Sequence, residues 1–225
     1  YKAYLFGGVQ INWECDASLI KENSQTPHSK KICYKNGIID YIKFKTSTIP
    51  MFTSSTFGGN VKIEDENVEW VVAWLTNSET SFIETYCNTV PTPLGGSHEL
   101  GFRHALTKGI RNFADIKGFK KSNEIIYDDL INSTGSILSI FIKNPQFQGQ
   151  TKEKLVSLSS AKLVEIAIKD RFETWLSNDL SVGEAILNRT INNYEERKRK
   201  KKEKDIFRKT ITKKIRLPGK LADCS

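Results

Sequence analysis

The sequence lacks any apolar run near the roughly 20 residues that a membrane-spanning helix requires, which excludes a transmembrane segment. Its single methionine is Met51, and no charged-then-apolar leader follows Tyr1, so we expect an internal piece of a longer chain without a signal peptide. The four cysteines form no Cys-x-x-Cys pair and no ligand spacing with the three histidines, which argues against a zinc site. Such cysteine usage predicts reduced thiols and a cytoplasmic location.

The basic charge lies mostly at one end of the chain. Residues 197–225 hold 13 of the 34 Lys and Arg residues but only 3 of the 26 acidic residues. The remaining 21 basic and 23 acidic residues leave residues 1–196 nearly neutral. This distribution argues against a protein that coats nucleic acid with its whole surface, and it leaves a local polyanion contact at the C-terminal end open.

Hydrophobic periodicity predicts an α+β fold with a small, mostly antiparallel or mixed sheet and packed helices. We expect strands at residues 4–6 and 9–13 (a hairpin about Gly7-Gly8), 31–34, 60–63, 69–75, 81–87 and 136–142. A hairpin turn at residues 77–79 is expected to join two of these strands. Helical spacing is seen at residues 37–44, 97–114 (with Ser97 as the N-cap), 128–130, 159–175 and from about 182 to 204. Residues 46–60 and 146–157 are expected to be loops.

The last predicted helix ends in a run of seven basic residues among eight, at residues 197–204. Such a run cannot be buried, so this end must project into solvent or onto a partner. A charge run is usually a solvated helix face. The candidate DNA-phosphate contacts in it are Arg197, Lys198, Arg199, Lys200 and Lys201.

Three longer segments carry a resemblance to a known family. Residues 88–103 read Asn-Thr-Val-Pro-Thr-Pro-Leu-Gly-Gly-Ser-His-Glu-Leu-Gly-Phe-Arg, residues 144–152 read Asn-Pro-Gln-Phe-Gln-Gly-Gln-Thr-Lys, and residues 217–224 read Leu-Pro-Gly-Lys-Leu-Ala-Asp-Cys. With weaker matches at residues 4–9 and 36–41, they resemble, in one order along the whole chain, the B subunits of bacterial type IIA topoisomerases. The forms at residues 90–92 and 36–41 are more similar to topoisomerase IV than to gyrase, which stays an alternative.

The resemblance implies the transducer region, which lies between the ATPase domain and the metal-binding Toprim domain. Its expected fold is a small mixed sheet with a βαβ unit of left-handed crossover, followed by a long helix. We divide the chain into a transducer core at residues 1–180, the basic helix and linker at residues 181–216, and the start of the Toprim region at residues 217–225.

The resemblance also implies roles for individual residues. Gln150 and Lys152 would contact the γ-phosphate of ATP and release it after hydrolysis, because ADP lacks that charge. Arg103 would face the cavity through which DNA passes. Residues 95–98 precede a helix N-terminus, a generic anion site; a tight turn with a packed His98 is the interpretation that we favour. No catalytic residue and no metal ligand is expected within these 225 residues.

In the full-length subunit, ATP and Mg²⁺ are the expected cofactors, and the chain alone is expected to bind neither and to be inactive. Its expected partners are the ATPase and Toprim domains of the same chain, the A subunit of topoisomerase IV, duplex DNA and a second B subunit, with no membrane. The whole reaction would be ATP-dependent passage of duplex DNA through a double-strand break. A second alternative is that the chain is not part of an enzyme but a DNA-binding module. One departure from the family pattern is the Asn132-Ser133 pair, which replaces an acidic residue and a glycine.

Overall fold

The computed structural model describes residues 1–21 and 24–214, with side chains up to residue 208. The helices are α1 (Lys2–Leu5), α2 (Ile38–Lys45), α3 (Ser97–Ile116), α4 (Tyr127–Ile131), α5 (Leu158–Asn178) and α6 (Leu180–Lys214). The strands are β1 (Gln10–Glu14), β2 (Ser29–Cys33), β3 (Phe57–Ile63), β4 (Glu66–Trp74), β5 (Phe82–Cys87), β6 (Val90–Pro91), β7 (Thr134–Phe141), β8 (Phe147–Gln148) and β9 (Lys154–Leu155). The predicted α+β class is confirmed.

A five-stranded mixed sheet organises the fold, with its strands in the order β3-β4-β7-β5-β6. Strand β7 is antiparallel to β4 and parallel to β5, so Leu138 lies opposite both Trp70 and Thr85. The chain passes from β5 to β7 through α3 and α4, which forms a βαβ unit. The expected hairpin about residues 77–79 is therefore wrong. Strand β7 is buried along almost its whole length, and its insertion between β4 and β5 gives it hydrogen-bond partners on both edges.

The sheet is covered on both faces, as the sequence of β4 predicts. Alternate residues of this strand belong to two clusters, one with Trp70, Val72 and Trp74 and the other with Val71, Ala73 and the next residue of the chain, Leu75. The first cluster is the main core and includes side chains of α3, α5 and α6. The second contains Leu5 of α1 and Ile38 and Ile42 of α2. Successive side chains of a strand point to opposite faces, so an uninterrupted apolar strand requires both layers.

The first 13 residues do not form the expected hairpin. Residues 2–5 are helical, and β1 pairs instead with β2, placing Gln10 opposite Cys33. Contacts with residues distant in sequence explain this difference, because the Tyr4 ring stacks on Tyr34 at a centroid distance of 3.6 Å and on Tyr41 at 4.7 Å. These contacts bury residues 3–5 against α2 and the turn that precedes it.

Helices α3 and α5 pack closely because α3 carries two glycines on the facing side, one against the backbone of α5 and one against a side chain. A methyl group on Gly101 would lie 2.1 Å from the carbonyl oxygen of Ala161, and one on Gly109 would lie 2.7 Å from the Phe172 ring. The predicted apolar positions Val164, Ile168 and Phe172 of α5 are fully buried in this contact region. The two helices therefore pack more closely than larger side chains would permit.

Helix α6 has 35 residues and is about 52 Å long at 1.5 Å per residue. Its first half belongs to the folded core, with a buried stripe made of Val182, Ile186, Leu187, Thr190 and Tyr194. Residues 199–208 are exposed, which confirms the expected projection of the basic end. The proposed boundary at residue 180 stays a prediction, and residues 217–225 lie outside the described residues. Within the described ranges, none of the helices combines the length and hydropathy needed to cross a membrane.

We expect Gly101→Ala to destabilise the chain. The new methyl group would meet a backbone atom that no side-chain rotation can move, so overpacking should lower the free energy of unfolding by about 1–3 kcal/mol. This outweighs the gain of about 1 kcal/mol that alanine brings to a helix. Urea unfolding measures the difference. His104→Ala, on the exposed side of α3, is the control and should change stability by less than about 0.5 kcal/mol. A Gly101→Ala variant more stable than the parent chain contradicts the close crossing.

Candidate functional site: an exposed loop and a basic helix

Gln150 and Lys152 lie at the exposed tip of a small hairpin. Strands β8 and β9 pair with Phe147 opposite Leu155, so the predicted plain loop at residues 146–157 contains a two-stranded ladder. Gly149 has φ +74° and Lys152 has φ +57°, and these left-handed conformations turn the chain back on itself. The Lys152 ammonium lies 6.0 Å from the centroid of the Phe147 ring. Both predicted side chains are thus accessible to a ligand.

The base of this hairpin is held by the turn that precedes α3. The Leu155 N–H donates to the Gly95 carbonyl at 3.1 Å, and the Leu94 N–H donates to the Glu153 carbonyl at 3.1 Å. Gly96 has φ +141°, and a methyl group there would lie 2.2 Å from the Leu155 carbonyl oxygen. Only glycine fits this approach, so the hairpin has an exposed tip and a base that is bonded to the turn before α3.

Residues 95–98 form a packed turn. Gly96, not Ser97, is the N-cap, so the predicted serine cap is wrong. Ser97 is the first residue of α3, and its Oγ lies 2.7 Å from Ser160 Oγ. His98 is fully buried with Nε2 at 3.1 Å from Thr92 Oγ1, and burial lowers the pKa of His98 to about 4, so the ring is neutral near pH 7. The favoured interpretation, a tight turn with a packed histidine, is confirmed.

Arg103 is paired with carboxylates of this chain. Its guanidinium donates to Glu99 Oε1 from Nε at 2.9 Å and from Nη2 at 2.7 Å, and it lies 3.9 Å from Asp128. It also covers the Tyr127 ring at 4.5 Å. Partial burial acts to lower the pKa of Arg103, but the hydrogen bonds to Glu99 together with the negative charges of Glu99, Asp128 and Tyr127 raise this pKa overall. The side chain is 40% exposed, so a phosphate could reach it only in competition with Glu99.

The five basic residues predicted on α6 fall into two groups. Arg197 forms two hydrogen bonds of 2.7 Å with the buried carboxylate of Asp129 in α4, and this pairing raises the pKa of Arg197. Lys198 pairs with Glu124 at 2.5 Å. These two residues hold α6 against the rest of the fold. The others lie on the exposed part of the helix: Arg199 and Lys200, each paired with a glutamate of the same helix, and Lys201.

Sequence reasoning missed two lysines beside this helix. Lys120 and Lys121, which follow α3, line one groove with Lys198, Arg199 and Lys202 of α6. The adjacent lysines are visible in the sequence, but they lie about 80 residues from the basic run, and only the fold brings the two together. Among the residues that the structure describes, no three His, Cys, Asp or Glu side chains converge in a way that could hold a metal ion.

Comparison with known proteins gives concordant matches. The family model described as DNA gyrase B matches residues 37–206. The DNA topoisomerase 4 B subunit of Caulobacter vibrioides is 44% identical over 229 residues, which cover 100% of this chain and 33% of that protein. The corresponding B subunit of Rickettsia bellii is also 44% identical, over 226 residues that cover 100% of this chain and 34% of that protein. The chain thus spans about a third of the length of these relatives.

Two solved structures share the fold. The topoisomerase IV ATP-binding domain of Francisella tularensis superimposes with a TM-score of 0.72 at 24% identity, covering 87% of this chain and 51% of that one. The 43K ATPase domain of Thermus thermophilus gyrase B gives a TM-score of 0.73 at 21% identity, covering 91% and 53%. The family model covers well over half of the sequence and agrees with the motifs at residues 88–103 and 144–152. The chain therefore belongs to the DNA gyrase B family, the B subunits of type IIA topoisomerases.

Proposed function

We propose that this chain is the transducer part of a topoisomerase IV B subunit. In the whole subunit it would sense bound ATP and pass that signal toward the DNA gate, as part of an ATP-hydrolysing enzyme that passes duplex DNA through a double-strand break for relaxation and decatenation. The observation that carries the proposal is the exposed Gln150–Lys152 tip, whose hairpin base is hydrogen-bonded to the turn before α3. The names of the relatives above favour topoisomerase IV over the gyrase alternative.

The chemistry of the loop suits a terminal phosphate. The Lys152 ammonium supplies a positive charge and three donors, and the Gln150 amide supplies two more donors. Both stand on an exposed loop beside Gly149, which has open space around it. A γ-phosphate would draw the two side chains together by charge-assisted hydrogen bonds, and ADP would not. ATP would therefore bias the loop toward one position. In this proposal, Mg²⁺, the nucleotide pocket and the Toprim acids of the full-length enzyme belong to residues outside this segment.

Replacing Lys152 tests this role. In the full-length B subunit assembled with its A subunit, Lys152→Ala removes the charge that faces the γ-phosphate, so ATP-dependent relaxation should fall about tenfold to a hundredfold, the value of a hydrogen bond to a charged group. Lys154→Ala, which removes an exposed lysine from strand β9 of the same hairpin, is the matched control and should keep normal relaxation. Normal relaxation by Lys152→Ala would sink the γ-phosphate role.

We further propose that DNA passes beside the exposed half of α6. Arg199 would contact phosphates there together with Lys120 and Lys121 across the groove that these three residues line. Lys200 and Lys201 line the neighbouring groove beside Asp129 and would add phosphate contacts on that side of the helix. Arg103 stays a proposed contact in which phosphate replaces Glu99. Arg197 and Lys198 act first as links to α4 and to Glu124. The partners in the whole enzyme would be the A subunit, a second B subunit and duplex DNA, in the bacterial cytoplasm.

The groove lysines give a salt-dependence test. Lys120→Gln with Lys121→Gln removes two positive charges, so DNA-stimulated ATP hydrolysis by the full enzyme should weaken. The slope of log affinity for DNA against log salt should decrease by about 1.8, or 0.9 for each phosphate contact. The same change at Lys30 and Lys31, an exposed lysine pair on β2, is the control. An equal effect in both double variants would contradict a localised DNA path.

Substitutions at Arg197 and Lys201 should have different effects, the first on stability and the second on DNA binding. Arg197→Gln leaves the buried Asp129 carboxylate without its charged partner and should lower the free energy of unfolding by about 1.5–3 kcal/mol. Lys201→Gln, one helical turn further along the exposed face, should leave stability within about 0.5 kcal/mol and weaken DNA binding. Urea unfolding and DNA titration of both variants measure this. Unchanged stability of Arg197→Gln counts against the link to α4.

The alternative to a part of a topoisomerase is a non-enzymatic DNA-binding module. It would use only the basic end of α6 and would bind DNA identically with and without nucleotide. Such a module leaves the anchored Gln150–Lys152 loop without a role. DNA binding by the full-length protein that changes with a non-hydrolysable ATP analogue supports the topoisomerase proposal, and binding that does not change supports the module.

A further inference from the structure

We propose that the hydroxyl pair of Ser97 and Ser160 is the joint through which the Gln150–Lys152 loop moves α3 and α5 together. The inference rests on the proposed function, because it presumes that nucleotide displaces the loop. It assigns to Ser97 and Ser160 a positioning role in coupling, without contact to nucleotide or DNA.

The joint lies where the base of the hairpin meets two helix N-termini. Ser97 is the first residue of α3, and Ser160 is in the first turn of α5. Their Oγ atoms are 2.7 Å apart, and Ser160 is 1% exposed. The Ser97 hydroxyl also lies 3.4 Å from the Leu155 carbonyl oxygen at the end of the hairpin. One short hydrogen bond therefore ties both helices together beside the loop.

Two arrangements of protons satisfy this pair. Either Ser160 donates to Ser97, which donates to the Leu155 carbonyl at 3.4 Å, or Ser97 donates to Ser160, which donates to the Ser157 carbonyl at 2.8 Å. The second arrangement has the better geometry, because 3.4 Å is long for a hydroxyl donor. The first becomes favourable if Leu155 moves toward Ser97. The joint can thus follow a shift of the hairpin without losing the bond between the two serines.

Beyond the joint, close backbone contacts connect α3 to α5 and α5 to α6. Gly101 of α3 is in backbone contact with Ala161, the residue after Ser160. At the far end of α5, a methyl group on Gly183 of α6 would lie 2.3 Å from the Leu176 carbonyl oxygen. A displacement at the base of the loop is therefore passed to α3 and α5 as one body and then to α6, which carries the basic end.

The test uses the full-length B subunit assembled with its A subunit and measures two quantities, ATP hydrolysis and the number of DNA passages per ATP hydrolysed. Ser97→Ala and Ser160→Ala remove the joint while leaving the backbone anchors of the hairpin, so hydrolysis should stay within about twofold and passages per ATP should fall between about threefold and thirtyfold. The double variant should show no fewer DNA passages per ATP than the more impaired of the two single variants, because both changes break the same bond. Ser97→Thr keeps the hydroxyl and should restore coupling, and Ser159→Ala, on the exposed side of the same turn, is the control.

Three results would overturn the inference: unchanged passages per ATP in both alanine variants, loss of hydrolysis in proportion to a lowered melting temperature, or a Ser97→Thr variant as impaired as Ser97→Ala. Lys152→Ala in the same assay separates this inference from the proposed function. If Lys152→Ala behaves normally, the γ-phosphate role fails. If Lys152→Ala is impaired while the serine variants are normal, only the joint fails.

Discussion

The backbone contact between α3 and α5 is the constraint on which the rest of the structure depends. Because Gly101 has no side chain, the Ala161 carbonyl can approach it directly, and this brings the N-termini of both helices to one place. The turn at residues 95–98 and the hairpin that carries Lys152 meet at that place. Without the close crossing, the exposed tip would stand on a base with no fixed relation to the sheet or to α6.

The arginines at the proposed DNA-facing positions show how charge is divided between folding and binding. Arg103 and Arg197 each hold a carboxylate, Glu99 in one case and the buried Asp129 in the other. A buried carboxylate needs such a partner, because an unpaired charge in a low-dielectric interior is costly. The cations left for a polyanion are mostly lysines on exposed turns and on the far half of α6, where long side chains reach solvent.

Much of the fold could be predicted because periodicity reports burial directly. The apolar faces of α3 and α5, the two-sided burial of β4 and the projecting end of α6 follow from the spacing of residues such as Val164, Ile168 and Phe172. The hairpins expected at residues 1–13 and 77–79 were wrong, because local turn signals do not say which strand will be the neighbour. The sequence pattern also predicts Ser97 as a helix cap, whereas the structure uses its hydroxyl in a hydrogen bond between α3 and α5. Both roles need the same side chain, so the pattern does not distinguish them.

The sequence by itself determined the family, through motifs at residues 88–103 and 144–152, and the uneven distribution of charge, because both are properties of residue order. Only the tertiary structure decided which of these residues meet. It inserted β7 between β4 and β5, brought Lys120 and Lys121 beside α6, and bonded Ser97 to Ser160 across 63 positions of the chain. Contacts between segments far apart in sequence depend on how whole helices and sheets pack, and local sequence patterns carry no record of that packing.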